Sequence, residues 1–153
     1  MKFLKPKFWD KKHISLFSIL LFPIVLFIML LVFFKRFFTK NYNCSIPVIC
    51  VGNIYLGGTG KTPLCIELFS ILKSLNRNPV FIRKKYKSFQ DEINLLKQIG
   101  STYESEKRID AINDAIQNKA DVLILDDGFQ DFSINKNLTI VCFNEKQWIG
   151  NGL

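Results

Sequence analysis

A chain of 153 residues has room for one modest domain and an appendage. Its formal net charge of +8 and pI of about 9.4 point first to nucleic acid or to an anionic membrane. Residues 1–44 hold seven Lys, one Arg and one Asp, whereas the rest hold thirteen basic and twelve acidic groups; this nearly neutral remainder has no interleaved basic and aromatic stripe, which argues against nucleic-acid binding.

The first element is the apolar run ISLFSILLFPIVLFIMLLVFF, residues 14–34, 21 residues without a charge. That length crosses a hydrocarbon core of about 30 Å. Lys11 and Lys12 precede it, Lys35 and Arg36 follow it, and Phe8 and Trp9 suit the interface. A cleaved signal peptide is the competing reading, but the run is long and no small-residue cleavage site follows. Because lysines crowd both ends, the positive-inside rule does not orient the segment. Pro23 lacks a backbone donor. Two geometries are therefore open, a straight span and a kinked hairpin that returns to the same face. Residues 40–45, KNYNCS, read as a short polar linker. The predicted division is a basic, membrane-associated leader over residues 1–44 and a second domain over residues 45–153.

From Ser45 strands and helices alternate. IPVICVGN is a β-rich run bounded by turn formers. TPLCIELFSILKSL is apolar on most sides and predicts a buried helix, with Pro63 tolerated in its first turn. NPVFIRKKY starts as a second strand, and QDEINLLKQIG predicts a short helix ending at Gly100. In SEKRIDAINDAIQNKA, Ile109, Ile112 and Ile116 share one helical face and Ser105 is a candidate N-cap. DVLILDDG is a buried strand running into acid, and NLTIVCFNE is another strand. This alternation predicts an α/β fold, a mostly parallel sheet with flanking helices, preceded by the membrane helix. Ligands of such sheets bind beyond the carboxyl ends of the strands. Cys44, Cys50, Cys65 and Cys142 form no Cys-x-x-Cys pair and read as small buried hydrophobes in a reducing compartment. With His13 the only histidine, a zinc site is not expected.

Two motifs carry chemistry. In VGNIYLGGTGKTPL, residues 51–64, Gly60, Lys61 and Thr62 match the second half of the P-loop pattern, while Tyr55 stands where its first glycine belongs. Gly57, Gly58 and Gly60, with Thr59 among them, let backbone N–H groups converge on phosphate oxygens. The helix starting near Thr62 offers its positive end to the anion. Lys61 can reach the β- and γ-phosphates of a nucleotide such as ATP, and the Thr62 hydroxyl can hold Mg²⁺. The bland reading is a Gly-rich turn with a chance GKT, which the flanking strand and helix disfavour. VLILDD, residues 122–127, resembles a Walker B element, in which Asp126 or Asp127 binds Mg²⁺ directly or through water. The loop also resembles those of membrane-cycling partition ATPases, but these carry a lysine where Leu56 stands here.

Together the residues resemble the tetraacyldisaccharide 4'-kinase family, membrane-bound kinases of lipid A biosynthesis. IPVICVGNIYLGGTGKTPL is similar to that family's loop, which also has a non-glycine residue at the place of Tyr55. DDGFQD, residues 126–131, resembles its Asp-Asp-Gly-(Leu/Phe)-Gln-His motif; QDE, with Asp91 and Glu92, resembles Gly-Asp-Glu; GNGL, residues 150–153, resembles Gly-Asn-Gly. The resemblance implies transfer of the γ-phosphate of ATP, with Mg²⁺, to the 4'-hydroxyl of a tetraacyldisaccharide 1-phosphate. The expected setting is the cytoplasmic face of a bacterial inner membrane, with the lipid as partner and no nucleic-acid or protein partner implied. It makes Asp91 the candidate base, Lys61 and Asp127 further catalytic groups, and Glu92, Lys84, Tyr86 and Gln130 candidates for substrate contact. From the sequence alone Asp91 is only an acid at a helix N-terminus.

Three departures stand out. The family's Ser-Arg-Gly-Tyr-Gly segment corresponds to Arg83, Lys84, Lys85, Tyr86 and Lys87, so both glycines are lysines, and the connection from there to Asp91 is short. Asp131 replaces a histidine. The family also continues into a second lobe that supplies a supporting histidine, so the chain is expected to be a fragment of a longer kinase. The rival from another class is a non-catalytic, membrane-tethered nucleotide switch.

Overall fold

The computed structural model describes residues 16–53, 60–85 and 90–143. Gly57, Gly58 and Thr59, Tyr86 and the 150–153 stretch lie outside the described residues. Helix α1, Leu16–Phe38, is continuous through Pro23. The re-entrant hairpin is therefore not the geometry found. Proline removes one hydrogen bond from a 23-residue helix, and the segment carries no Gly, Asn or Asp with which to reverse the chain. Its window Ile19–Phe38 is long and apolar enough to cross a membrane, and none of it is buried within the protein.

Residues 40–45 are not a free linker. The Tyr42 amide donates to the Ser133 carbonyl at 2.8 Å, its own carbonyl accepts from the Asn135 amide at 3.0 Å, and its hydroxyl donates to Asn113 Oδ1 at 2.9 Å. Tyr42, Cys44 and Ile46 also pack on a core cluster. A polar segment can dock when its backbone groups find partners, which composition alone does not reveal.

The rest is a five-stranded parallel sheet of β1 (Val48–Asn53), β2 (Pro79–Lys84), β3 (Thr102–Ser105), β4 (Val122–Asp126) and β5 (Leu138–Cys142), in the order β3-β2-β4-β1-β5. Helices α2 (Lys61–Ser74), α3 (Gln90–Ile99) and α4 (Arg108–Gln117) connect the strands. All of β4 is buried, which is why VLIL reads as an unbroken apolar run rather than an alternating one. Strand β3 escapes sequence patterning, because TYES is polar and half-buried at the sheet edge. Ser105 ends β3 rather than capping α4; the N-cap is Lys107, with no side-chain cap.

Strand alternation divides the core into two. Val48, Cys50, Val80, Ile82, Leu123 and Leu125 face α4, where Ala111, Ile112 and Ala115 meet them. Val51, Phe81 and Ile124 face the other side, with Cys65 and Phe69 of α2 and Leu96 of α3. Phe69 stacks on Phe81 with ring centroids 4.8 Å apart. Helix α2 is less enclosed than its composition suggests: only Cys65 and Phe69 are buried, and Ile71 is 47% exposed. Leu64, Ile66, Leu68 and Leu72 are half-buried against the same cluster, so the helix meets the sheet with one face.

The period of two has a chemical consequence. Asn53 follows Val51, Arg83 follows Phe81 and Asp126 follows Ile124 at two-residue spacing. The three polar residues thus leave the carboxyl ends of three neighbouring strands, β2, β4 and β1, on the α2 and α3 side.

Candidate active site

Lys61 opens α2, and the Gly60 before it has φ of 78°. Only a residue without Cβ adopts that left-handed conformation at no cost, which suits Gly60 as the N-cap of α2. The Lys61 ammonium donates to Asn53 Oδ1 at 3.0 Å and lies 3.8 Å from Asp127 Oδ1. Thr62 sits half-buried in the same first turn. Lys61 and the acid that follows β4 therefore stand together beyond the carboxyl ends of the strands, where ligands of such sheets bind.

The two aspartates differ sharply. Asp126 is 1% exposed, held in register by the Val51–Asp126 pairing of β1 and β4. Burial pushes its pKa up, against the Arg83 guanidinium, which favours the charged form. The Cys65 thiol donates to its Oδ1 at 3.9 Å, and that thiol is itself pushed up by burial and by the neighbouring acid. Asp126 Oδ2 is buried and accepts no hydrogen bond, although it lies 3.2 Å from Arg83 Nη1. Asp127 is half-exposed with φ of 58°, a left-handed conformation that Asp tolerates better than most residues. Its peptide is gripped from both sides: the amide donates to the Val51 carbonyl at 3.0 Å, and the carbonyl accepts from Arg108 Nη2 at 2.7 Å.

Two arginines were not singled out as site residues by the motifs. Arg83, 5% exposed, pairs with Asp126 and donates through Nη2 to Glu92 Oε2 at 2.6 Å. Arg108, 6% exposed, also donates through Nη1 to Asp131 Oδ2 at 3.0 Å. Both carried a signal. Arg83 continues the buried face of an apolar strand, and Arg108 heads the buried stripe of α4, positions 108, 111, 112 and 115. Burial resists ionisation of Asp131, but hydrogen bonds from the Ser133 hydroxyl and amide and from Arg108 outweigh it and hold its pKa below the usual carboxylate range. The aspartate at the histidine's place is thus the half-buried partner of a buried arginine.

The other predicted residues lie around this centre. Asp91 is exposed in the first turn of α3, next to Glu92. Lys84 is exposed at the end of β2, and Gln130 is exposed in the turn after β4. Gly52 of β1 supports that turn from below: a Cβ there would meet Phe129 Cβ at 2.6 Å. Hard oxygen donors at Asp126, Asp127 and Thr62 are of the kind that fits Mg²⁺, with Asp126 Oδ2 already facing the Arg83 guanidinium. Among the described residues no cluster of three or more His, Cys, Asp or Glu forms a cage. Mg²⁺ on a nucleotide needs only one or two carboxylates, because the phosphates supply the rest.

The family model described as tetraacyldisaccharide-1-P 4'-kinase matches residues 17–104 and 87–153. The chain belongs to the tetraacyldisaccharide 4'-kinase family. Among its relatives, the tetraacyldisaccharide 4'-kinase of Pelagibacter ubique is 48% identical over 153 residues, covering 100% of this chain and 48% of the relative. That of Rickettsia bellii is 33% identical over 168 aligned positions, covering 99% of this chain and 52% of its own. A crystal structure of the "apo" form of LpxK from Aquifex aeolicus in complex with ATP superposes with a TM-score of 0.66 at 28% identity, covering 85% of this chain and 48% of that one. The chain spans about half the length of the 4'-kinases it matches. The family's parallel-sheet fold is the one described above.

Proposed function

We propose that this chain supplies the nucleotide half of a membrane-anchored kinase that passes the γ-phosphoryl group of ATP to the 4'-hydroxyl of tetraacyldisaccharide 1-phosphate. The observation that carries the reading is the Lys61 ammonium at the head of α2, 3.8 Å from Asp127 at the carboxyl end of the neighbouring β4. Family membership supports the same reaction and lipid.

In this reading the backbone of Gly57, Gly58, Thr59 and Gly60 cradles the phosphates, and Lys61 exchanges its contact with Asp127 for the β- and γ-phosphate oxygens. Asp126, Asp127 and Thr62 would hold Mg²⁺, which neutralises charge developing on the phosphates. Asp91 takes the proton of the 4'-hydroxyl as the new O–P bond forms and the bond from phosphorus to the ADP oxygen breaks. Glu92, Lys84, Tyr86 and Gln130 would contact the lipid substrate. Helix α1 anchors the protein in the inner membrane with the site on the cytoplasmic face, where ATP is available. The enzyme then works on a lipid that never leaves the bilayer.

The test is phosphorylation of the disaccharide lipid by the full-length protein with ATP and Mg²⁺ in detergent micelles. Lys61→Ala should cut turnover by about 100-fold or more with the fold retained. Unchanged turnover in that variant refutes the assignment. Nucleotide binding by the wild type without lipid phosphorylation, and indifference to Asp91→Asn, would favour a nucleotide switch instead.

A further inference from the structure

The departures that begin at the end of β2 include a buried cation with no evident purpose in binding nucleotide. Arg83 lies under the site, 5% exposed, between the end of β4 and the start of α3. Its Nη1 is 3.2 Å from Asp126 Oδ2 and its Nη2 is 2.6 Å from Glu92 Oε2. Its charge is paired twice, but its Nε and Nη1 are buried without a hydrogen bond, so its donors are incompletely satisfied. A buried charge that is incompletely satisfied is a weak contributor to stability and is more readily explained by what it holds in place.

It holds one thing in particular. Helix α3 is short and contributes Ile93 and Leu96 to the core, with Leu95 and Ile99 43% and 44% exposed. Its apolar grip on the sheet is therefore small, and its acidic first turn carries Asp91 and Glu92. The guanidinium is planar and presents its donors in a fixed fork, so tying one carboxylate to another fixes both distance and direction. We propose that Arg83 is a positioning residue that ties the first turn of α3 to Asp126, and so fixes where Asp91 stands relative to the phosphate-binding lysine. Arg83 touches neither nucleotide nor lipid; it acts through Glu92 and Asp126. The catalytic part of this inference rests on the kinase reading above, whereas the tie itself does not.

Two measurements on the full-length protein separate these parts. The first is amide hydrogen exchange without any substrate. Arg83→Met and Glu92→Met should each speed exchange at residues 93–97 by about tenfold or more, the size of one charge-assisted hydrogen bond, with α2 and α4 unchanged. Arg83→Lys, which keeps the charge but not the fork, should fall between them and the wild type. The double variant Arg83→Met with Glu92→Met should be no looser than Arg83→Met alone, because both remove the same tie. Wild-type exchange in α3, equal loosening of α2, or additive effects would each overturn the tie. The second is steady-state kinetics: Arg83→Met should lower turnover by about 100-fold while KM for ATP changes by less than about threefold. A raised KM with turnover kept would make Arg83 a nucleotide-binding residue and overturn the positioning role. If the wild type binds ATP but does not phosphorylate the lipid, the kinase reading fails, and the exchange data still decide whether Arg83 ties α3.

Discussion

Replacing Arg108 by Met removes the pin under the turn that carries Asp127. Arg108 is 6% exposed and makes two hydrogen bonds, to the Asp127 carbonyl at 2.7 Å and to Asp131 Oδ2 at 3.0 Å. A hydrogen bond to a charged group contributes about 1.5–3 kcal/mol, so the two amount to roughly 3–6 kcal/mol before compensation. Compensation is substantial. Arg108 Nε is already buried without a partner, and a methionine of similar length keeps the packing of the stem. Asp131 has 22% of its side chain exposed, so it rehydrates in part once its partner is gone. The net loss should be about 2–3 kcal/mol, which for a protein of this size lowers Tm by roughly 5–10 °C. Calorimetry or urea denaturation of the full chain in detergent micelles reads this directly. The site adds a second readout: Asp127, held at φ of 58°, loses the donor on its carbonyl, and ATP affinity should weaken by a few-fold, roughly 1 kcal/mol or less. A stability loss under about 1 kcal/mol would refute the reasoning, since it would mean that water or a neighbour already serves these acceptors.

Asp131→Asn tests the same pair from its acidic side. The folded pKa of Asp131 is depressed, so its charge stabilises the protein above the ordinary aspartate value near 3.9, and the contribution disappears as pH falls through the folded value. The variant should be about 1–2 kcal/mol less stable than wild type at pH 7, and that difference should shrink below about pH 4 in denaturation curves taken across pH; a difference that persists unchanged at pH 3 refutes the pairing. Gly52→Ala puts a Cβ 2.6 Å from Phe129 Cβ, a contact with no flexible end to yield, and should cost about 1–3 kcal/mol and weaken ATP binding by shifting the turn that bears Asp127. Isothermal titration that finds unchanged affinity would show that the turn relaxes without moving the aspartate. Phe69→Ala opens the space between α2 and the sheet where the ring stacks on Phe81, and should cost about 3–5 kcal/mol in chemical denaturation. A loss under about 1 kcal/mol would mean that α2 collapses onto the vacated volume.

The order of most elements and the two motifs could be read from residues close together in the chain, because each rests on local chemistry. Periodicity marks buried strands, glycines before a Lys-Thr pair mark an anion-binding helix start, and an apolar run of membrane length is legible wherever it stands. The sequence also exposed the departures, including Asp131 and the basic segment after β2. What it did not determine depends on neighbours distant along the chain. Strand β3 is polar because it sits at an edge, and residues 40–45 are docked because residues 133 and 135 provide backbone partners. The hairpin and the straight helix were both open to a segment containing one proline. The tertiary structure decided most about the arginines. The motifs singled out neither Arg83 nor Arg108 as a site residue, and only the assembled sheet brings Asp126 and Glu92 to one and Asp127 and Asp131 to the other. The physical reason is that a charge is informative only through its partners. Those partners lie 43 and 9 positions away for Arg83 and 19 and 23 for Arg108, joined by strand order and not by spacing.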